Sequence, residues 1–105
     1  MRKPLESKTQ RDVNNMLSKF SVPVKIHKRS FPDYQYLCPK GVTFFIEYKR
    51  PGKKPRPDQL KCHEVLRGLG FIVLVHDGKK SPMDFYKELR QWLLNGTALT
   101  TADLL

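Results

Sequence analysis

Asp33, Glu47, Lys49 and Gln59 are the residues of this chain whose types and spacing could do chemistry together. They sit in the strings Phe31-Pro32-Asp33, Phe45-Ile46-Glu47-Tyr48-Lys49 and Pro57-Asp58-Gln59-Leu60. Two carboxylates held side by side repel unless a shared proton or a cation lies between them. Mg²⁺ suits such a pair, because it binds few protein oxygens, keeps several waters and accepts substrate phosphate as a further ligand. A cation there would activate water and stabilise a phosphoryl group electrophilically. An ammonium beside the pair could orient or help deprotonate the attacking water, or neutralise charge developing on phosphate. Gln59 could hydrogen-bond that water or a phosphate oxygen.

The elements around these residues decide whether they meet. Residues 4–20 read as a helix, with Val13, Met16, Leu17 and Phe20 at helical spacing and Ser21 and Pro23 as its stop. Residues 22–28 read as a first strand, and residues 34–37 and 42–48 as two more, joined by a turn at Cys38-Pro39-Lys40-Gly41. If that turn is centred on Lys40, paired residues have numbers summing to 80. Asp33 then faces Glu47, with Cβ atoms roughly 4.5–5.5 Å apart. A sum of 81 would instead turn the two carboxylates to opposite faces. Glu47 and Lys49 share one face by alternation, while Phe44, Ile46 and Tyr48 point into the core.

Residues 50–56 form a basic loop that its prolines and Gly52 keep irregular. A second helix is expected from Pro57 to about Arg67, with Asp58 matched to the helix dipole. A buried strand follows at residues 71–75. A last helix starts at Ser81-Pro82, carries Phe85, Leu89, Trp92 and Leu93 on one face, and stops at Asn95-Gly96. The order is α-β-β-β-α-β-α. Residues 1–96 make a single α/β domain, and residues 97–105 are expected to be a flexible tail.

Twenty Lys and Arg against ten Asp and Glu leave a formal charge of +10. A solubility role is the bland reading, but so large an excess on a small domain favours a polyanionic partner. No amphipathic stretch joins a basic face to a long apolar one, so nucleic acid is preferred to a membrane surface. No run approaches the roughly 18 apolar residues of a membrane span, and no signal peptide follows Met1. Cys38 and Cys62 read as free thiols, which fits a cytoplasmic location.

The nearby basic residues Lys25, His27, Lys28, Arg29, Lys53, Lys54 and Arg56 are the candidates for phosphate contact. His27, His63 and His76 lack ligand spacing and read as surface or half-buried histidines. Glu64 reads as solvated, and Trp92 as core or dimer interface. Glu6 serves either as a metal or water ligand or only as an acidic residue at a helix start.

From about residue 4 to residue 77 the chain resembles the virus-type replication-repair nuclease domain, a branch of the PD-(D/E)XK superfamily. The residues that carry this are Glu6, Pro32-Asp33, Glu47-Tyr48-Lys49, the loop at residues 50–56, Gln59, Gly68 to Gly70 and the apolar run Phe71 to Val75. Ser30 stands where the family often has glycine. The resemblance implies a restriction-endonuclease-like fold, a mixed sheet flanked by helices. It implies Mg²⁺- or Mn²⁺-dependent hydrolysis of DNA phosphodiesters, with Asp33 and Glu47 on metal, Lys49 as the catalytic lysine and Gln59 as the helix glutamine. The metal set is expected to include the Tyr48 backbone carbonyl and to admit Glu6. Stand-alone members of this size, many from phages, resemble Holliday-junction resolvases and act as dimers, so a homodimer cutting four-way junctions is the expected form. A nuclease of flaps or duplex ends, and a DNA-binding module without catalysis, are the alternatives.

Overall fold

A computed structural model describes the backbone of residues 5–105 and the side chains of residues 7–105. The first helix, α1 (Leu5–Leu17), ends sooner than its apolar spacing predicts. The Ser18 and Ser21 hydroxyls donate to the carbonyls of Asn14 and Leu17, satisfying the helix end before Phe20. Then come β1 (Val22–Lys25), β2 (Tyr34–Leu37), β3 (Thr43–Tyr48), α2 (Pro57–Gly68), β4 (Ile72–His76) and α3 (Pro82–Gly96). The expected α-β-β-β-α-β-α order is the observed one, with short 3₁₀ turns added at Pro39–Gly41 and Ala102–Leu104.

The sheet runs β1-β2-β3-β4, antiparallel except for the parallel β3–β4 pair. Tyr34 pairs with Ile46 and Gln35 with Phe45, so the β2–β3 register sums to 80. Lys40 (φ 62°) and Gly41 (φ 72°) take the left-handed backbone that makes this turn tight, and Cys38 N–H closes it on Val42 O at 2.8 Å. β1 stops at Lys25 because the chain bends into a turn closed by Phe31 N–H on Lys28 O at 3.1 Å.

The central strand β3 is covered on both faces. Phe44, Ile46 and Tyr48 pack in one core with Val13, Leu17, Tyr36, Leu89 and Leu93, from α1, β2 and α3. Phe45 packs the other way with Leu66 and Val73, under α2. Each fully buried large side chain contributes roughly 1.5–3 kcal/mol. α3 begins as expected, with the Ser81 hydroxyl accepting Asp84 N–H at 3.1 Å, but Trp92 lies half exposed rather than in the core.

Residues 97–105 correct an expectation. They are not a loose tail: Leu99 and Leu104 are buried in the main core, and Asp103 pairs with Lys40 Nζ at 2.8 Å. Two leucines spaced among Thr, Ala and Asp lack a helical period, yet they close the end of the sheet beside α3. The free edge of β4 is capped at one point, where the Arg67 guanidinium donates to Val73 O at 2.7 Å. Cys38 and Cys62 are free and partly buried, and burial pushes the Cys38 thiol up to about 11. Among the described residues no helix is long and apolar enough to cross a membrane.

Candidate active site

The site begins where the β2–β3 ladder ends. Pro32 has no N–H to give, and the chain turns away there. Tyr48 N–H, aimed at β2 at this level, is taken by Asp33 Oδ2 at 2.7 Å. Ile26 N–H donates to Asp33 O at 2.9 Å, carrying the β1–β2 register one step further. Asp33 is thus held by both neighbouring strands. Continuing the sum-80 register sets it opposite Glu47.

Glu47 lies on the face of β3 that looks toward α2, and it is completely buried. Lys49 Nζ is 2.8 Å from its Oε2, and His63 Nε2, from α2, is 3.1 Å from its Oε1. The ammonium lies off the direction of a good hydrogen bond, so Oε2 has charge compensation without a hydrogen-bond partner among the described residues. Burial pushes the Asp33 carboxyl above its ordinary value, and neighbouring Glu47 pushes it the same way. The Tyr48 N–H, Lys49 and Lys25 act against that rise.

Asp33 and Lys49 open onto a polar cleft of about 400 Å³ lined by residues from α1, the β1–β2 connection, the end of β3 and the start of α2, with Glu47 and His63 buried behind it. Asp33, Tyr48, Lys49 and Gln59 line it, as do the expected phosphate-binding residues Lys25, His27, Lys28, Arg29 and Arg56. Arg56 ties the basic loop to the opposite wall by donating from Nη2 to Arg29 O at 3.0 Å. Lys53 and Lys54 are exposed and do not line the cleft. The Glu6 side chain lies outside the described residues. Ser7 and Gln10 of α1 line the cleft without having been expected there.

Gln59 has a structural duty as well as a place at the cleft. Its Oε1 accepts Arg56 N–H at 2.9 Å, capping α2. One lone pair of that oxygen is taken, and the amide keeps its N–H donors, which suit a phosphate oxygen. Asp58 is exposed and pairs with Arg56 Nε at 3.2 Å, and Glu64 is exposed as expected. His63 and His76 correct the reading of the histidines, since both are fully buried. His76 is held in a turn, accepting Gly78 N–H at 3.0 Å and bonding Lys80 O at 2.8 Å. His63 is the site residue that the sequence reading passed over. Its signal was the spacing to Gln59, four residues and one helical turn, which puts both on the buried face of α2.

The donor set fits a hard divalent cation. Asp33 and Glu47 are oxygen donors, Glu47 Oε2 keeps an open lone pair in a buried place, and the Asp33 carboxyl, raised first by burial and further by Glu47, is one whose ionised form a cation would favour. Among the described residues no group of three His, Cys, Asp or Glu could hold a metal, so further ligands would come from backbone carbonyl, water or phosphate.

No protein-family model matches the sequence. The chain is 38% identical over 69 residues to the protein named "Putative nuclease p44" of Acyrthosiphon pisum secondary endosymbiont phage 1, a match spanning 66% of this chain and 71% of that protein. The fold is similar to a solved structure described as "VRR_NUC domain", with a TM-score of 0.68 and 25% identity over 87% of this chain and 96% of the other.

Proposed function

The chain belongs to the virus-type replication-repair nuclease family, and from that membership we propose that it hydrolyses DNA phosphodiesters with Mg²⁺ or Mn²⁺, acting on branched DNA. The observation that carries the metal reading is Asp33, held by Tyr48 N–H and lining a cation-lined cleft, in front of the buried Glu47–Lys49 pair whose Glu47 Oε2 has no hydrogen-bond partner among the described residues.

Asp33, Glu47 and the Tyr48 carbonyl would hold the ion, which when bound lowers the pKa of water and draws electron density from the phosphate. Lys25, Lys28, Arg29 and Arg56 attract the DNA backbone into the cleft and set its register. Lys49 presents its ammonium at the cleft while paired to Glu47, where it neutralises charge developing on the phosphate oxygens. The Gln59 amide donates to a phosphate oxygen, and its capping bond keeps it from swinging away. The α2 start, with Arg56 bonded across to Arg29, narrows the cleft around the scissile group.

Dimerisation is supported by a second, apolar cleft of about 400 Å³ along the free edge of β4, lined by Phe71 to Val75, Arg67 and the half-exposed Trp92. A second copy covering it would set two sites in two-fold relation, which suits the two cuts a four-way junction requires. The test is cleavage of labelled four-way junction, flap and linear duplex with Mg²⁺, with Mn²⁺ and in EDTA, alongside sedimentation velocity. Cutting of the junction that needs added metal is the expected result. Degradation of linear duplex alone removes the junction preference, and DNA binding without cutting in any metal removes the catalytic reading.

A further inference from the structure

Glu47 is clamped from two sides, and only one side belongs to the cleft. Lys49, beside it on β3, approaches Oε2 and lines the cleft. His63, from α2, reaches Oε1 from a position only 1% exposed and away from the cleft lining. A carboxylate only accepts, so the imidazole Nε2–H donates to it. His63 Nδ1 has no hydrogen-bond partner among the described residues, so Glu47 is the polar contact that gives this buried ring its orientation.

A glutamate carboxylate turns about its last side-chain torsion over a broad, nearly two-fold well. The Lys49 ammonium compensates its charge but, lying off hydrogen-bond geometry, does not fix that turn. The His63 bond does. We propose that His63 is a positioning residue, which grips Glu47 by Oε1 so that Oε2 stays turned toward Lys49 and the metal-binding side of the site. This rests on the metal-dependent reading above. It also gives the buried polar face of α2 two tasks one turn apart, with Gln59 toward the phosphate and His63 behind the carboxylate.

The test compares His63→Leu, which removes the donor, with His63→Gln, whose side-chain amide can place an N–H near the same point. Mn²⁺ affinity is measured without DNA by electron paramagnetic resonance of the free ion, and kcat and KM are measured separately on cleaved DNA. His63→Leu should weaken Mn²⁺ binding about 10–100-fold, the range for losing a partner that orients a metal ligand. Its kcat should fall while KM for DNA stays near wild type, and His63→Gln should restore both affinity and kcat. The wild-type imidazole is also followed by ¹H–¹⁵N correlation, where a protonated Nε2 should shift when Mg²⁺ is added; this decides the matter if His63→Leu does not fold. Equal Mn²⁺ affinity in wild type and a folded His63→Leu, failure of His63→Gln to rescue, or a ring resonance indifferent to Mg²⁺ each overturn the positioning role alone. Wild-type protein that binds no Mn²⁺ overturns the metal reading of the site and this role with it.

Discussion

Asp33→Asn removes one charge from the site while keeping the acceptor that holds the entry to β2. Asp33 Oδ2 takes Tyr48 N–H at 2.7 Å, and the asparagine carbonyl oxygen can stand in the same place. Exchanging a charge-assisted acceptor for a neutral one costs on the order of 1 kcal/mol. Against that, burial and the nearby Glu47 raise the Asp33 carboxyl, so keeping it ionised at neutral pH without metal is itself a cost. The two effects oppose each other, and the net change in stability should stay within about 1 kcal/mol, or roughly 4–8 °C in Tm for a domain of this size. The pH dependence has a definite sign. Between the ordinary value of 3.8 and the raised folded value, the native state holds more proton than the unfolded chain, so stability falls as pH rises through that window. In EDTA, wild type should therefore lose ground to Asp33→Asn as pH climbs from about 4, and the difference should level off above the folded value. Cleavage should respond quite differently. Loss of a ligand carboxylate should lower the rate about 10³-fold or more, while DNA binding holds or tightens because a negative charge has left the cleft. Thermal melts across pH, anisotropy with labelled DNA and denaturing gels in Mg²⁺ measure the three quantities. A folded Asp33→Asn protein that cuts at the wild-type rate refutes the assignment of Asp33.

Leu104→Ala should cost about 2–5 kcal/mol, read as a lower melting temperature, because Leu104 is fully buried in the main core; an unchanged Tm would return residues 97–105 to the status of a tail. Gly78→Ala should be destabilising by about 2 kcal/mol or more, since its φ is 84° and a Cβ would sit 2.5 Å from Pro51 N. Because Pro51 is two residues from Lys49, cleavage should fall with it, and a melt equal to wild type would refute the close approach. Lys25→Ala and Lys28→Ala, placed in the Asp33→Asn background to prevent cutting, should each reduce the slope of log K against log salt by about 0.9 on duplex DNA. Unchanged slopes would show that the cleft lysines do not meet phosphate.

Much of the arrangement was legible from local rules. A tight turn at Lys40-Gly41 fixes which residues of β2 and β3 face each other, so the sum-80 register followed from counting, and strand alternation set Lys49 beside Glu47. The helices announced themselves by period and by the Ser81-Pro82 and Pro57-Asp58 starts. What escaped depends on contacts between elements distant in sequence. A lone histidine reads alike whether it faces water or a carboxylate sixteen residues away, and only the packing of α2 on β3 decides for His63. Leu99 and Leu104 failed for the same reason, since burial by a sheet end leaves no period. Gln59 was singled out for chemistry, while its helix cap needed the conformation of Arg56 to become visible.

The Arg67 bond to Val73 O has a consequence for how this protein survives in a crowded cell. Phe71-Ile72-Val73-Leu74-Val75 is an uncharged apolar stretch, the composition that stacks readily into cross-β assemblies. In the folded chain it forms the last strand of the sheet, with one row of backbone groups turned outward. A guanidinium seated on that row blocks the approach of a stranger's strand and places a charge where growing aggregates would need none. The same arginine therefore acts as a gatekeeper on a sticky edge.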